Sequence, residues 1–78
     1  MAAVTEVDRL EPGIPGLEIV RAKLTGASST FVSKFGTVKA SLVKAEGTNA
    51  CTWTISDRTL TITGTNADYV DIIVAGLL

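Results

Sequence analysis

The most regular feature of the chain is an alternation of apolar and polar residues between positions 51 and 63. Apolar side chains occupy every second position on both sides of the polar pair Asp57-Arg58; they are Cys51, Trp53, Ile55, Leu60 and Ile62. This period of two is typical of strands with one buried face. A turn-like cluster at 64–68 leads into a further apolar run at 69–75. Residues 51–75 therefore predict a three-stranded antiparallel meander.

The last of these runs is apolar on both faces. Val70, Ile72 and Val74 share one face, while Ile73 and Ala75 lie on the other. A strand of this composition is usually central in its sheet or covered by a neighbour. The sequence therefore predicts one of these two positions for the last strand.

Strands are also predicted upstream, at 17–25, 30–35 and 37–45. In the last of these, Val38 and Leu42 belong to an alternation with lysine and serine, although a short helix is the alternative because Lys, Ala and Leu favour helices. Turns at short intervals and abundant β-branched residues predict an all-β fold. A small antiparallel β-sandwich and a small barrel both fit this spacing of strands.

Residues 1–16 differ from the predicted β-domain at 17–78. Both prolines lie here, at Pro12 and Pro15, and proline favours extended or turning backbone. We interpret the segment as an extended N-terminal arm, with a frayed terminus as the alternative. Its apolar residues favour an arm that docks on a neighbour; they are Val4, Val7, Leu10 and Ile14. Deleting residues 1–14 is then expected to leave a folded domain and to abolish assembly.

The small size of the chain favours association with another protein. A single domain of 78 residues lies near the lower limit for a self-sufficient core. Disulfides and metal sites are the usual supplements, but one cysteine and no histidine provide neither. Oligomerisation, or docking on a larger partner, is the remaining supplement. Leu77 and Leu78 fit such an interface, or a position beneath the sheet.

Charge and composition disfavour several classes of function. The formal net charge is −1 and no basic stripe is present, which disfavours nucleic-acid binding. No apolar run is long enough to span a bilayer, and residues 1–13 lack the pattern of a signal peptide. We therefore expect a reducing, cytoplasm-like compartment, with neither a nucleic acid nor a membrane as partner.

No pattern of residues points to catalysis, a cofactor or a metal. Histidine, the commonest general base and metal ligand, is absent. The carboxylates Asp57 and Asp68 lie in predicted turns and Asp71 lies in a predicted strand, so turn and surface roles explain all three. The chain is therefore expected not to be an enzyme.

Cys51 and Trp53 are candidates either for the core or for a ligand site. They share a face with Ile55, which favours a buried thiol and a core tryptophan. A carbohydrate-stacking role for Trp53 is the alternative, because threonine ladders like the one beside it also occur on sugar-binding and ice-binding faces. A small ligand- or carbohydrate-binding β-module is therefore the alternative function.

The sequence from Gly36 onward resembles the closing half of small virion proteins of tailed bacteriophages. The resemblance rests on an alternating Trp/Thr/Val strand, a TLTITGT-like strand at 59–65, an NAD turn and a YxxxIVxG strand at 69–76. It implies a capsid decoration (cement) protein, which is a non-enzymatic virion structural protein that stabilises the shell through its β-domain and N-terminal arm. No catalytic, cofactor or metal-binding residue carries over from this resemblance.

The resemblance also implies partners and a location. The partners would be the major capsid protein or another virion protein, together with further copies of the chain in a homotrimer or homodimer. The location would be the virion, assembled in the host cytoplasm. The residues assigned to partner binding are Val4, Val7, Leu10, Ile14, Leu77 and Leu78.

Overall fold

The computed structural model describes residues 2–10 and 16–77, with Leu10 described by its backbone alone. Every regular element in these ranges is a strand, which confirms the all-β prediction and excludes the helical alternative at 37–45. In chain order the strands are β1 (Ala2–Ala3), β2 (Thr5–Leu10), β3 (Leu17–Lys23), β4 (Ser28–Val32), β5 (Thr37–Ala45), β6 (Thr52–Ser56), β7 (Thr59–Thr63) and β8 (Tyr69–Leu77).

The strands form two sheets of four strands each. Sheet A has the strand order β1-β4-β7-β6, and sheet B has the order β2-β3-β8-β5. Neighbouring strands are antiparallel, except that β1 and β4 run parallel. Buried side chains from both sheets meet between them, so of the two predicted architectures the molecule is a β-sandwich.

The core consists of alternate residues on the inward sides of the two sheets. In β8, Val70, Ile72 and Val74 are fully buried, and β8 lies between β3 and β5, which confirms its predicted central position. The residues that surround them come from both sheets and from the loops after β3 and β4; they are Val20, Ala22, Leu24, Phe31, Phe35, Val43, Leu60 and Ile62. Removal of these side chains from water is the main driving force for this fold.

The predicted three-stranded meander is wrong in its last step. β6 and β7 form a hairpin in sheet A, but β8 crosses to sheet B. The second edge of β7 is already occupied by β4, which leaves no place for β8 beside it. The Ala67 N–H donates to the Leu24 carbonyl at 3.0 Å, and the Leu24 N–H donates to the Asp68 carbonyl at 2.9 Å. These bonds hold the crossing segment against the end of β3.

The extended N-terminal arm is not confirmed. Among its described residues, β1 pairs with β4 in sheet A and β2 pairs with β3 in sheet B. Between the two strands, the Val4 N–H donates to the Thr30 carbonyl at 2.9 Å. The segment therefore supplies an edge strand to each sheet, where its backbone groups find hydrogen-bond partners, instead of projecting from a complete domain at 17–78. Residues 11–15 of the predicted arm lie outside the described residues.

Both edge strands of sheet B contain a β-bulge, centred on Val7 in β2 and on Lys39 in β5. A bulge inserts one extra residue into a strand and changes the face that the following residues occupy. Val38 consequently packs against the core, whereas Leu42 faces outward and is 49% exposed. The single alternation predicted across 37–45 is broken at Lys39.

Candidate interaction surface

The side of sheet B that faces away from sheet A presents both apolar and charged side chains; we call it the outer face of sheet B. The central strands alternate regularly, so that Glu18, Val20 and Ala22 of β3 are buried while the residues between them face outward. Strand pairing aligns the outward residues of β2, β3, β8 and β5 into rows that cross the sheet.

One of these rows is entirely apolar. Ile19 pairs with Ile73, and Ile73 pairs with Leu42 on its other side. Leu42 is about half exposed, and the two isoleucines are partly exposed. The next row is also apolar and consists of Leu17, Ala75 and Ala40. Exposed apolar side chains in contiguous rows are typical of a surface that binds another protein.

The row on the other side of Ile19 and Ile73 alternates in charge. In the strand order β2-β3-β8-β5 it reads Asp8, Arg21, Asp71, Lys44. Neighbouring residues of opposite charge stabilise a sheet modestly where they face solvent. The alternation also means that the two edges of the face carry opposite charges, negative at β2 and positive at β5.

Arg21 reaches across β8 within this face. Its Nε and Nη2 donate to the two carboxylate oxygens of Glu46 at 2.7 and 3.0 Å. Its guanidinium carbon lies 4.3 Å from the centroid of the Tyr69 ring. The hydrogen bonds to Glu46 raise the pKa of Arg21, and those from Arg21 lower the pKa of Glu46. The two-point ion pair and the stacked ring together hold the guanidinium over β8.

Asp71 lies in a less favourable environment. Partial burial raises the pKa of its carboxyl group above the ordinary value of 3.8, and a hydrogen bond with Glu46 adds to the rise. Asp71 lines a recess of about 170 Å³ together with Asp8, Ile19 and Arg21. Two carboxylates therefore border a recess beside the apolar row, and such a setting favours a positively charged group.

A buried ion pair lies on the inward side of the same sheet. Glu18 is fully buried; its Oε2 accepts a hydrogen bond from Arg9 Nη1 at 2.5 Å, and its Oε1 accepts one from Ser33 Oγ at 2.9 Å. Ser33 Oγ in turn accepts from the Phe35 N–H at 3.1 Å. The bond to Glu18 raises the pKa of Arg9. Because both carboxylate oxygens are engaged, Glu18 is arranged to fasten β2 and the loop after β4 to β3.

Three of the predicted contact residues have described side chains, and the structure separates two of them, Val4 and Leu77. Val4 packs against the core, whereas Val7 at the β2 bulge is 48% exposed and Leu77 is 58% exposed. Val4 immediately precedes Thr5, which pairs with Lys23, and Lys23 in turn pairs with Tyr69 at the start of β8. Leu77 ends β8, so Val4 and Leu77 lie at opposite ends of sheet B. The remaining predicted contacts have no described side chain; they are Leu10, Ile14 and Leu78.

Trp53 and Cys51 lie on the core side, as the sequence favoured, but both are only partly buried, and Ile55, predicted on the same face, is 43% exposed. Both pack against the core cluster, and the Trp53 indole Nε1 donates to the Ser41 hydroxyl at 3.2 Å. The threonines of β6 and β7 face the opposite way and form the outer face of sheet A, in rows such as Thr30–Thr61–Thr54. The indole therefore does not supply a stacking platform on the threonine side.

Other kinds of site find no support in the part of the chain that the structure describes. Within residues 2–10 and 16–77, no three cysteine, aspartate or glutamate side chains gather where they could hold a metal ion. The same residues include no helix with the length and hydrophobicity needed to cross a bilayer. Comparison of the chain with protein-family models, with curated proteins and with solved structures finds no match.

Partner contacts were predicted from the sequence in the N-terminal segment and at the last two residues, but not on the outer face of sheet B. One signal was present, namely the second apolar face of β8 at Ile73 and Ala75. That signal did not show which residues flank Ile73. The register does so, by placing Ile19 on one side and Leu42 on the other.

Proposed function

We propose that the chain is a non-enzymatic structural protein that acts by binding protein through the outer face of sheet B. The observation that carries this proposal is the apolar row Ile19–Ile73–Leu42 in the middle of that face. A partner that covers these side chains removes them from water, which stabilises the complex by about 25 cal/mol for each Å² of apolar surface covered. The charged row beside them would restrict which partners fit.

A virion accessory role, as a capsid decoration protein, is the specific form of this proposal. It is supported by the resemblance of residues 36–78 to small virion proteins and by the rigid build of the sandwich. In the described part of the chain, every buried side-chain nitrogen or oxygen has a hydrogen-bond partner. A fully bonded interior favours a single well-ordered shape, which a protein that binds a regular shell requires. The proposed partners are the major capsid protein or another virion protein.

The virion role can be tested by quantitative mass spectrometry of virions purified from host cells that contain the gene for this chain. The tryptic peptides at 24–34 and 45–58 identify the chain. We expect a copy number similar to that of the major capsid protein. Absence of both peptides from the particles would overturn the virion role, and only a few copies per particle would overturn shell decoration.

A pair of matched variants links incorporation to the outer face of sheet B. Ile73→Asp places a charge in the apolar row, whereas Thr61→Asp places the same charge on the central strand β7 of the opposite sheet. We expect Ile73→Asp to lower the copy number per virion and Thr61→Asp to leave it unchanged. Equal incorporation of both variants would show that another surface binds the partner.

A further inference from the structure

The outer face of sheet B is complementary to itself, and we propose that its partner is a second copy of this chain. The two copies would stack these faces about a two-fold axis parallel to the strands and midway between β3 and β8. This inference rests on the proposed function, because it names the protein that covers the same surface. A virion protein would then bind the dimer through its remaining surfaces, and Ile73→Asp would lower incorporation by preventing dimerisation. The result would be a symmetric dimer of four layers of sheet.

The charged row is complementary in charge to the same row read in the opposite order. A two-fold axis parallel to the strands reverses their order, so β2 faces β5 of the other copy and β3 faces β8. The row Asp8, Arg21, Asp71, Lys44 then meets a row in which every charge is opposite. Asp8 lies opposite the partner's Lys44. The backbone of Arg21 lies opposite that of the partner's Asp71, while the Arg21 guanidinium remains bound to Glu46 and Tyr69 over its own β8. Each of these pairs occurs twice in the dimer.

The recess on the outer face of sheet B can accommodate one of these charge pairs, that of Asp8 with the partner's Lys44. Glu46 and Tyr69 hold the Arg21 guanidinium over β8, so the β2 side of the row is left with a recess bordered by Asp8 and Asp71. The same axis brings the partner's Lys44 over this recess. Lys44 is exposed in the single copy and therefore accessible to a partner. Its ammonium group would lie beside the two carboxylates, Asp8 and Asp71, that border the recess together with Arg21.

The uncharged rows fit under the same axis. Ile19 lies opposite the partner's Ile73, so apolar side chains meet apolar side chains. In the next row Leu17 lies opposite the partner's Ala75, which sets a large side chain against a small one. At the other end of the face, Tyr69 lies opposite the partner's Lys23, a cation and an aromatic ring.

Other ways of pairing two copies through sheet B are less favourable. An axis across the strands keeps the strand order, so Arg21 would lie opposite the partner's Arg21, or the charged row would lie on an apolar row. Pairing through the edges of sheet B would use β2 or β5, and both are interrupted by bulges, at Val7 and Lys39. Bulged edges are poor templates for another strand. The parallel two-fold axis is therefore the arrangement that the face favours.

The face is large enough for a dimer of modest affinity. Four strands spaced by about 4.8 Å make the face roughly 19 Å wide, and strands of about seven residues at about 3.4 Å per residue make it roughly 24 Å long. The flat area is therefore roughly 450 Å² per copy. Side-chain relief brings the total for two copies to the lower end of specific interfaces, about 1,200 Å². We therefore expect a dissociation constant in the micromolar range.

Sedimentation equilibrium of the full chain tests the dimer. Between about 1 µM and about 300 µM, the mass should rise from 8.1 kDa to 16.2 kDa, which is twice the mass of one chain. Ile73→Asp should remain monomeric, and Thr61→Asp on sheet A should dimerise like the wild type. A wild type that stays monomeric, or forms trimers, would overturn the proposal, as would a dimer that Ile73→Asp leaves intact.

A charge exchange tests the axis itself. Asp8→Lys and Lys44→Glu each set like charges against each other twice in the homodimer, so each variant alone should dimerise at least tenfold more weakly. In an equimolar mixture, every facing pair is again of opposite charge, and a mixed dimer should form. Both positions are exposed, so folding should be unaffected, and the far-ultraviolet circular dichroism of each variant checks this. Failure of the mixture to recover dimers would overturn the two-fold arrangement.

The two sets of outcomes are distinguishable. A monomeric wild type would leave the detection of the chain in virions untouched, because a monomer could still decorate a shell. Absence from virions would leave the sedimentation result untouched, because a dimer needs no shell.

Discussion

At the residue scale, Glu18 shows how a charged side chain comes to lie in the core. Its carboxylate is stable without exposure to water because Arg9 and Ser33 engage both oxygens. Both partners are distant from Glu18 along the chain, so the local sequence gives no sign of them. The alternation of β3 then places its neighbours Leu17 and Ile19 on the outward side of the sheet.

Removing one partner of this ion pair should be costly. Arg9→Met leaves the Glu18 carboxylate buried without its cation, and should lower the free energy of unfolding by about 3 kcal/mol. The double variant Arg9→Met/Glu18→Leu should recover most of that loss, because it removes the uncompensated charge. Urea denaturation measures both effects.

Glu6→Gln is the matched control for this experiment. Glu6 also binds Arg9, but its side chain is 46% exposed, and exposed ion pairs contribute little. Its loss should change the free energy of unfolding by less than about 0.5 kcal/mol. An equal effect of Glu6→Gln and Arg9→Met would contradict a dominant role for the buried pair.

Glu46 and Asp71 should respond to pH in opposite directions. The pKa of Glu46 is lowered, so its contribution to the free energy of unfolding is complete above its ordinary value of 4.5 and is lost as the pH falls through the folded value. The pKa of Asp71 is raised, so its contribution is present below its ordinary value of 3.8 and is lost as the pH rises through the higher folded value.

Asp71→Asn isolates the second effect. The variant should unfold at higher urea concentration than the wild type near neutral pH, and this difference should vanish as the pH falls below 3.8. The unfolding should be measured at a protein concentration below the micromolar range, so that the chain is monomeric and dimerisation does not contribute. A difference that persists in acid would show that the charge of Asp71 is not its cause.

At the scale of elements, alternation predicted the strands well and their partners poorly. The inward faces of β7 and β8 follow directly from the spacing of Leu60, Ile62, Val70 and Ile72, because a period of two sets the face by itself. The bulge at Lys39 was not predictable, because an inserted residue leaves the local composition unchanged. Strand partners depend on contacts distant in sequence, so neither the crossing of β8 nor the rows of the outer face could be derived from local pattern.

The end of β8 packs too closely against its neighbours to leave room for a side chain at Gly76. A Cβ at this position would clash with the carbonyl oxygen of Thr37 and come within 3.0 Å of the Phe35 Cβ. Gly76→Ala should therefore lower the free energy of unfolding by about 3 kcal/mol, because the backbone and the core must both shift.

Gly47→Ala provides the comparison for this substitution. No atom lies within 4 Å of a Cβ at Gly47, so its free energy of unfolding should change by less than about 0.5 kcal/mol. The melting temperatures of both variants, measured by circular dichroism, test this difference. Similar melting temperatures would mean that β8 tolerates a side chain at its end.

At the scale of the whole molecule, the N-terminal segment joins the two sheets. β1 belongs to sheet A and β2 to sheet B, and the Thr25 hydroxyl donates to the Ala3 carbonyl at 2.8 Å. A segment shared in this way is part of the fold. The hypothesis that an arm could be removed without loss of structure therefore needs a direct test.

Deleting residues 1–10 should abolish cooperative unfolding. The deletion removes β1, β2 and the cation of Arg9, and so leaves Glu18 buried without compensation. Deleting residues 1–3 removes only the short β1, and should lower the melting temperature while preserving the transition. A cooperative melt of the shorter chain, residues 11–78, would restore the hypothesis of an independent arm.

The central position of β8 also affects how the chain folds during synthesis. β8 leaves the ribosome after every other described strand, yet it is the strand that joins β3 to β5. Until it emerges, sheet B consists of the β2–β3 hairpin and an unattached β5, and the inward side of sheet A has little to pack against. Nascent chains should therefore fold only after residues 69–77 have been translated. A premature stop codon before β8 would expose the whole chain to proteases, whereas a finished chain would be protected.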